Sequence, residues 1–124
     1  MVKGSFILKG NHLVSGINNV LTNLLTEGKS SSYPFENGTV YFFDEHDWFT
    51  TTNYCIVAVI DNRLFDAKTN SLEIHCYTLG GKTGIFEWDL WKREKKCLSG
   101  FHKLISGYCK GYEWQIEPLE IKKS

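Results

Sequence analysis

The chain has 124 residues, 42% hydrophobic and 23% charged, which suits one domain with a core large enough to stand without staples. Lys and Arg number 14 and Asp and Glu number 14, so the net charge is zero. That balance speaks against nucleic acid as a direct partner, since such affinity comes largely from neutralised phosphates.

Residues 4–9 form a short apolar run bounded by glycines, a first strand. Asn11 is placed to cap a helix. Leu13, Ile17, Val20, Leu21, Leu24 and Leu25 then recur at helical spacing, and Gly28 is the expected left-handed stop. Residues 29–38 (KSSSYPFENG) read as an irregular connection, because serines and Pro34 deny regular structure. Residues 39–43 (TVYFF) are β-branched and aromatic, hence a strand. Residues 54–60 (YCIVAVI) are apolar without alternation, as in a strand central to a sheet with layers over its faces. Turn signals surround a short piece at Arg63, Leu64 and Phe65.

Residues 72–91 (LEIHCYTLGGKTGIFEWDLW) read as a hairpin turning at Gly80, Gly81 and Gly84. A one-residue slip in pairing exchanges faces, and the register with Leu79 opposite Ile85 gives the cleanest sorting. It turns Ile74, Cys76, Trp88 and Leu90 inward. The outer face then sets Tyr77 across from Glu87, His75 across from Asp89, and Glu73 across from Trp91. After a polar approach, Cys97, Leu98, Phe101, Leu104, Ile105 and Tyr108 mark a second amphipathic helix that Gly111 ends, with His102 on its surface. Tyr112, Trp114 and Ile116 alternate with polar residues in a last strand, and Pro118 marks a sheet edge. The expected fold is α+β: a mostly antiparallel sheet of five to six strands with two amphipathic helices, in the order β-α-β-β-β-β-α-β.

No sustained apolar run opens the chain as a signal peptide would, and none reaches the roughly 18 residues of a membrane span, so a cytoplasmic location is expected. Cys55, Cys76, Cys97 and Cys109 form no Cys-x-x-Cys pair and are expected as free thiols in a reducing compartment. No phosphate-binding glycine loop, nucleophile elbow or metal-ligand spacing is present, so neither a cofactor nor a metal is expected.

Two stretches combine acids with aromatics. One is Asp44, Glu45, His46, Asp47, Trp48 and Phe49; the other is the outer hairpin face of Glu73, His75, Tyr77, Glu87, Asp89 and Trp91. The plainest account is a solvated sheet surface and a self-packed loop. A sharper one is a recognition surface, in which aromatics anchor and carboxylates steer a basic partner. Through DEHDWF (44–49), IFEWDLW (85–91) and YEWQIEPLEI (112–121), the chain resembles bacterial toxin immunity proteins, such as those of contact-dependent growth inhibition systems. The likeness lies in size, architecture and surface chemistry, and no binding residue transfers by position. It implies a monomer or weak dimer that blocks a cognate toxin domain, of nuclease type and with a basic surface, by stoichiometric binding. Two alternatives stand beside it: a small enzyme using His75 with Asp89, or His46 with Asp44 or Asp47, and a module holding a small ligand between sheet and helix.

Overall fold

The computed structural model describes residues 2–25, 30–44, 54–80 and 87–123, with the backbone alone at 44, 54, 80, 87–93 and 123. In chain order the elements are β1 (Val2–Lys9), α1 (Leu13–Asn23), β2 (Ser30–Phe35), β3 (Gly38–Asp44), β4 (Tyr54–Asp61), a 3-10 turn (Asn62–Leu64), β5 (Phe65–Asp66), β6 (Ser71–Gly80), α2 (Glu87–Tyr112), β7 (Gln115–Ile116) and β8 (Glu120–Lys123). The eight strands make one antiparallel sheet in the order β2-β3-β4-β6-β1-β7, with β5 also on β6 and β8 also on β1. This is the α+β architecture that the sequence predicts, with more strands than the five to six expected.

The two helices lie on one face of the sheet. Alternate residues of β1 (Val2, Phe6, Leu8), β6 (Leu72, Ile74, Cys76) and β4 (Ile56, Ala58, Ile60) are buried in register with one another. Against them pack Leu13, Ile17, Val20 and Leu21 of α1 and Cys97, Leu98, Phe101, Ile105 and Cys109 of α2. Phe101 is the hub: its ring meets Phe6 edge-on at 6.5 Å and Phe43 at 6.2 Å. Burying a side chain of this size contributes about 1.5–3 kcal/mol. The inner tyrosine, Tyr41, donates its hydroxyl to Asn18 Oδ1 at 2.6 Å, which ties β3 to α1.

The predicted hairpin is the main correction. β6 pairs with β1 on one side and β4 on the other, and Glu87–Tyr112 is one helix of 26 residues. Opposite His75 stand Ser5 and Val59, not Asp89; opposite Tyr77 stand Lys3 and Val57, not Glu87; opposite Glu73 stands Ile7, not Trp91. The physical reason is a coincidence of periods. Phe86, Trp88 and Leu90 alternate as a strand would, yet Trp91, Glu94, Leu98, Phe101 and Ile105 recur at three and four without a break. Good helix formers at 92–96 carry the helix back, and Glu87 and Asp89 suit the positive end of its dipole.

Smaller corrections have similar causes. Residues 30–35, read as irregular, form β2, paired with β3 around the two-residue turn at Glu36 and Asn37. The cap of α1 is His12 in the left-handed region at φ 56°, with no side-chain capping bond, and the helix stops at Asn23; Gly28 lies outside the described residues. His102 is half-buried rather than superficial: its ring meets Phe6 edge-on at 5.0 Å and its Nε2 lies 2.9 Å from the Glu117 carbonyl. The central position expected for β4 holds, but both helices sit on the same side of it.

Trp114, expected in an alternating strand, instead clamps the two helices together. Its indole Nε1 donates to the Asn11 carbonyl at 2.8 Å, and Tyr112 stacks on it at 4.3 Å while accepting from Asn19 Nδ2 at 3.1 Å. The ring occupies the space where a Cβ would stand on Gly10 or Gly16. Gly10 also takes φ 150°, so both glycines are required there, one for backbone and both for room.

Candidate functional site: the helix-free face of the sheet

Because side chains alternate, everything one residue out of step with the core lands on the other face. The pairings fix its rows. The central row runs Ser31, Phe42, Val57, Tyr77, Lys3 and Lys122, and the next runs Tyr33, Val40, Val59, His75, Ser5 and Glu120. Beyond these lie Phe35 on β2, Asp61 on β4 and Ile7 paired with Glu73.

The face is graded. Its middle is apolar: Val57 is only 8% exposed, and Phe42 and Tyr77 flank it in register. Toward β2 the aromatics emerge, with Tyr33 59% and Phe35 36% exposed and Tyr33 edge-on to Phe42 at 5.6 Å. Toward β1 charge takes over. Lys3 Nζ stands 5.9 Å from the Tyr77 ring centroid, within cation–π range. His75 Nε2 lies 3.2 Å from Glu73 Oε1. Asp61 accepts from Arg63 at 2.7 Å, and these hydrogen bonds hold its carboxyl below the ordinary range, with His75 adding a smaller pull.

Of the sequence-predicted residues, Glu73, His75 and Tyr77 are thus brought together here. Glu87, Asp89 and Trp91 are not: they fall in the first two turns of α2. Asp44 ends β3, and Glu45, His46, Asp47, Trp48 and Phe49 lie outside the described residues. Sequence reasoning missed Tyr33, Phe35, Phe42, Lys3 and Asp61. The alternation of Ser31, Tyr33 and Phe35 was the available signal, hidden by serines and a proline. The described charges on this face are balanced, with Asp61, Glu73 and Glu120 against Lys3, Arg63 and Lys122, so its recognition chemistry is aromatic first and ionic second.

The cross-strand pairing of His75 with Asp89 does not form, since His75 pairs with Ser5 and Val59 while Asp89 lies in α2. His75 itself is half-buried on the sheet face. Its Nε2 faces Glu73, and its Nδ1 is buried without a hydrogen-bond partner. Three of the four thiols are buried, and Cys55 is half-buried on β4. Cys76, Cys97 and Cys109 are buried free cysteines, and burial pushes Cys76 and Cys97 up to about 12. A thiol so far from ionising is neither nucleophile nor ligand. Among the described residues no group of His, Cys, Asp and Glu converges as a metal site, and no helix is long and apolar enough to cross a membrane. No protein-family model, curated protein or solved structure matches the chain.

Proposed function

We propose that this protein is a binding module that blocks another protein, an inhibitor of the toxin-immunity kind acting in the cytoplasm on a cognate toxin domain. The observation that carries the reading is the helix-free sheet face. Tyr33, Phe35, Phe42 and Tyr77 share that face, with Tyr33 edge-on to Phe42 and Val57 between Phe42 and Tyr77, and the Glu73–His75 pair and Lys3 stand beside them. Contiguous aromatic surface with a polar border on rigid strands is what a protein interface uses, since the anchors are already ordered before contact. The burial of Cys76, Cys97 and Cys109 fits a role in packing, which supports binding over thiol chemistry at these three. The acids Asp44, Glu45 and Asp47 of the sequence add a second element, carboxylates of the kind that steer a basic partner.

The test starts from the neighbouring genes, where a large toxin gene is expected, and co-expresses its toxin domain with this chain. The intact chain restores growth and forms a one-to-one complex, and Tyr33→Ala with Tyr77→Ala weakens that complex by about tenfold or more. Full toxicity in the presence of the folded chain contradicts the proposal. A complex that both alanines leave untouched removes the sheet face from it.

A further inference from the structure

The two sides of the molecule differ in charge as well as in cover. On the helix-free face the described charges are mixed and balanced. The helical side is not balanced. α1 has no charged residue, and from residue 94 to its end α2 has a single acid, Glu94, which is buried. Glu87 and Asp89 lie in the first turn, ahead of this stretch. The stretch also repeats with a period of seven: KCLSGFH (96–102), KLISGYC (103–109), then KGY (110–112). Leu98, Phe101 and Ile105 of the repeat enter the core. A helix turns about 100° per residue, so Lys96, Lys103 and Lys110 fall on the opposite side, and all three are exposed. Neighbours in this row stand about 10 Å apart along the axis and drift by only about 20°. On a solvated helix a lysine ordinarily finds an acid three or four residues away. Around Lys103 those places hold Ser99, Gly100, Ser106 and Gly107. None of the three lysines has an ion pair among the described residues. The result is a straight, purely positive crest about 20 Å long.

We propose that this crest adsorbs to the anionic surface of a lipid bilayer, with the helical layer against the headgroups and the aromatic sheet face turned away from them. This does not rest on the function proposed above. Charge complementarity calls for an anion, and the geometry selects which. Lysines about 10 Å apart on a convex ridge cannot converge on one phosphate, so the partner is extended. A helix in a duplex groove meets phosphates with its flanks and base edges with its crest, whereas here the lysines are the crest. Single strands are held by stacking on aromatic rings, and protein interfaces by desolvated aromatic or apolar anchors, with lysine depleted. Between its lysines this crest presents only serine and glycine. A headgroup layer needs no such anchor. It is flat, and each lysine brought near it raises affinity about fivefold through the field of the anionic lipids. The small residues let that plane come close. A Cβ on Gly107 would meet nothing, so the chain's own packing does not call for a glycine there, although it weakens the helix.

Co-sedimentation with vesicles tests it, using phosphatidylcholine alone or with about one-third phosphatidylserine, at about 0.1 M salt and below. The wild type binds the mixed vesicles and not the neutral ones, and added salt releases it. Lys96→Gln with Lys103→Gln lowers partition onto the mixed vesicles by about thirtyfold. The control, Lys3→Gln with Lys122→Gln, removes the same charge from one row of the sheet face. Its partition at about 0.1 M salt stays within about threefold of the wild type, because charges more than a Debye length from the bilayer are screened. Circular dichroism shows both pairs folded. A wild type left in solution by the mixed vesicles at every salt overturns the proposal. So does a control pair that loses as much as the crest pair. Duplex DNA retained through Lys96 and Lys103 by a protein that ignores the vesicles makes the crest a nucleic-acid site and overturns it as well.

Discussion

Along β6, Leu72, Ile74, Cys76 and Thr78 are at most 1% exposed, while Glu73, His75 and Tyr77, one residue over in each case, stay only partly covered on the other face. The same strands thus build two surfaces under different rules. The helix side is apolar almost throughout, and its cohesion comes from packing. The free side is graded, from exposed aromatics at β2 through buried valine at β4 to charge at β1. The contrast teaches that a sheet residue can be buried without being part of the core. Val57 is 8% exposed on the face away from the two helices, between its cross-strand neighbours Phe42 and Tyr77.

The contrast breaks most visibly from the covered side. Phe101→Ala leaves a cavity between Phe6 and Phe43 and costs about 3–5 kcal/mol, read from the urea midpoint. Gly16→Ala is next. The added methyl meets the Trp114 ring, which is held by its bond to Asn11, so the helix clamp shifts at a cost of about 1–3 kcal/mol. Tryptophan fluorescence reads that change.

Glu94 sharpens the picture through pH. It is 3% exposed on α2, and burial pushes its carboxyl above the ordinary 4.5, against a smaller opposing effect of the Thr78 hydrogen bond. A carboxyl raised in the folded state prefers to be neutral there. Its contribution to stability is full below pH 4.5 and is lost as pH rises through the raised folded value. Thermal melts across acid to neutral pH therefore decline for the wild type over that window, and Glu94→Gln flattens the decline. The smallest stability effect comes from the open face. Tyr33→Ser removes one edge-on contact with Phe42 and shifts stability by about 0.2–1 kcal/mol, while it strips the most exposed aromatic from the proposed contact surface.

Much of the frame was legible in the sequence. Helical spacing located α1, β-branched runs located β3 and β4, and the alternation from Leu72 to Leu79 assigned Glu73, His75 and Tyr77 to one face correctly. The partners of that strand were not legible. Its neighbours are β1 and β4, distant in sequence, and a local Gly-rich turn offered a nearer pairing that the helical preference of the basic segment overrode. Half of the predicted outer face therefore moved to α2. The residues that replaced it, Lys3, Val57 and Val59, were unreadable as site residues because only the register brings them beside Tyr77 and His75. Trp114 was misplaced for a similar reason: Tyr112, Trp114 and Ile116 alternate like a strand, but Gly10 and Gly16 open a pocket for the indole that no local pattern records.

The central claim is that one face of the sheet stands open to meet another molecule while the other is sealed by helices. Thiol labelling of native protein tests it most directly, with cysteine introduced singly at His75 and at Tyr33 and rates compared with the wild-type background of four cysteines. With half-buried Cys55 first replaced by Ser, the account predicts fast modification at both introduced positions, over a slow background from the buried Cys76, Cys97 and Cys109. Introduced thiols that react no faster than the native cysteines, in a protein that melts like the wild type, would contradict it.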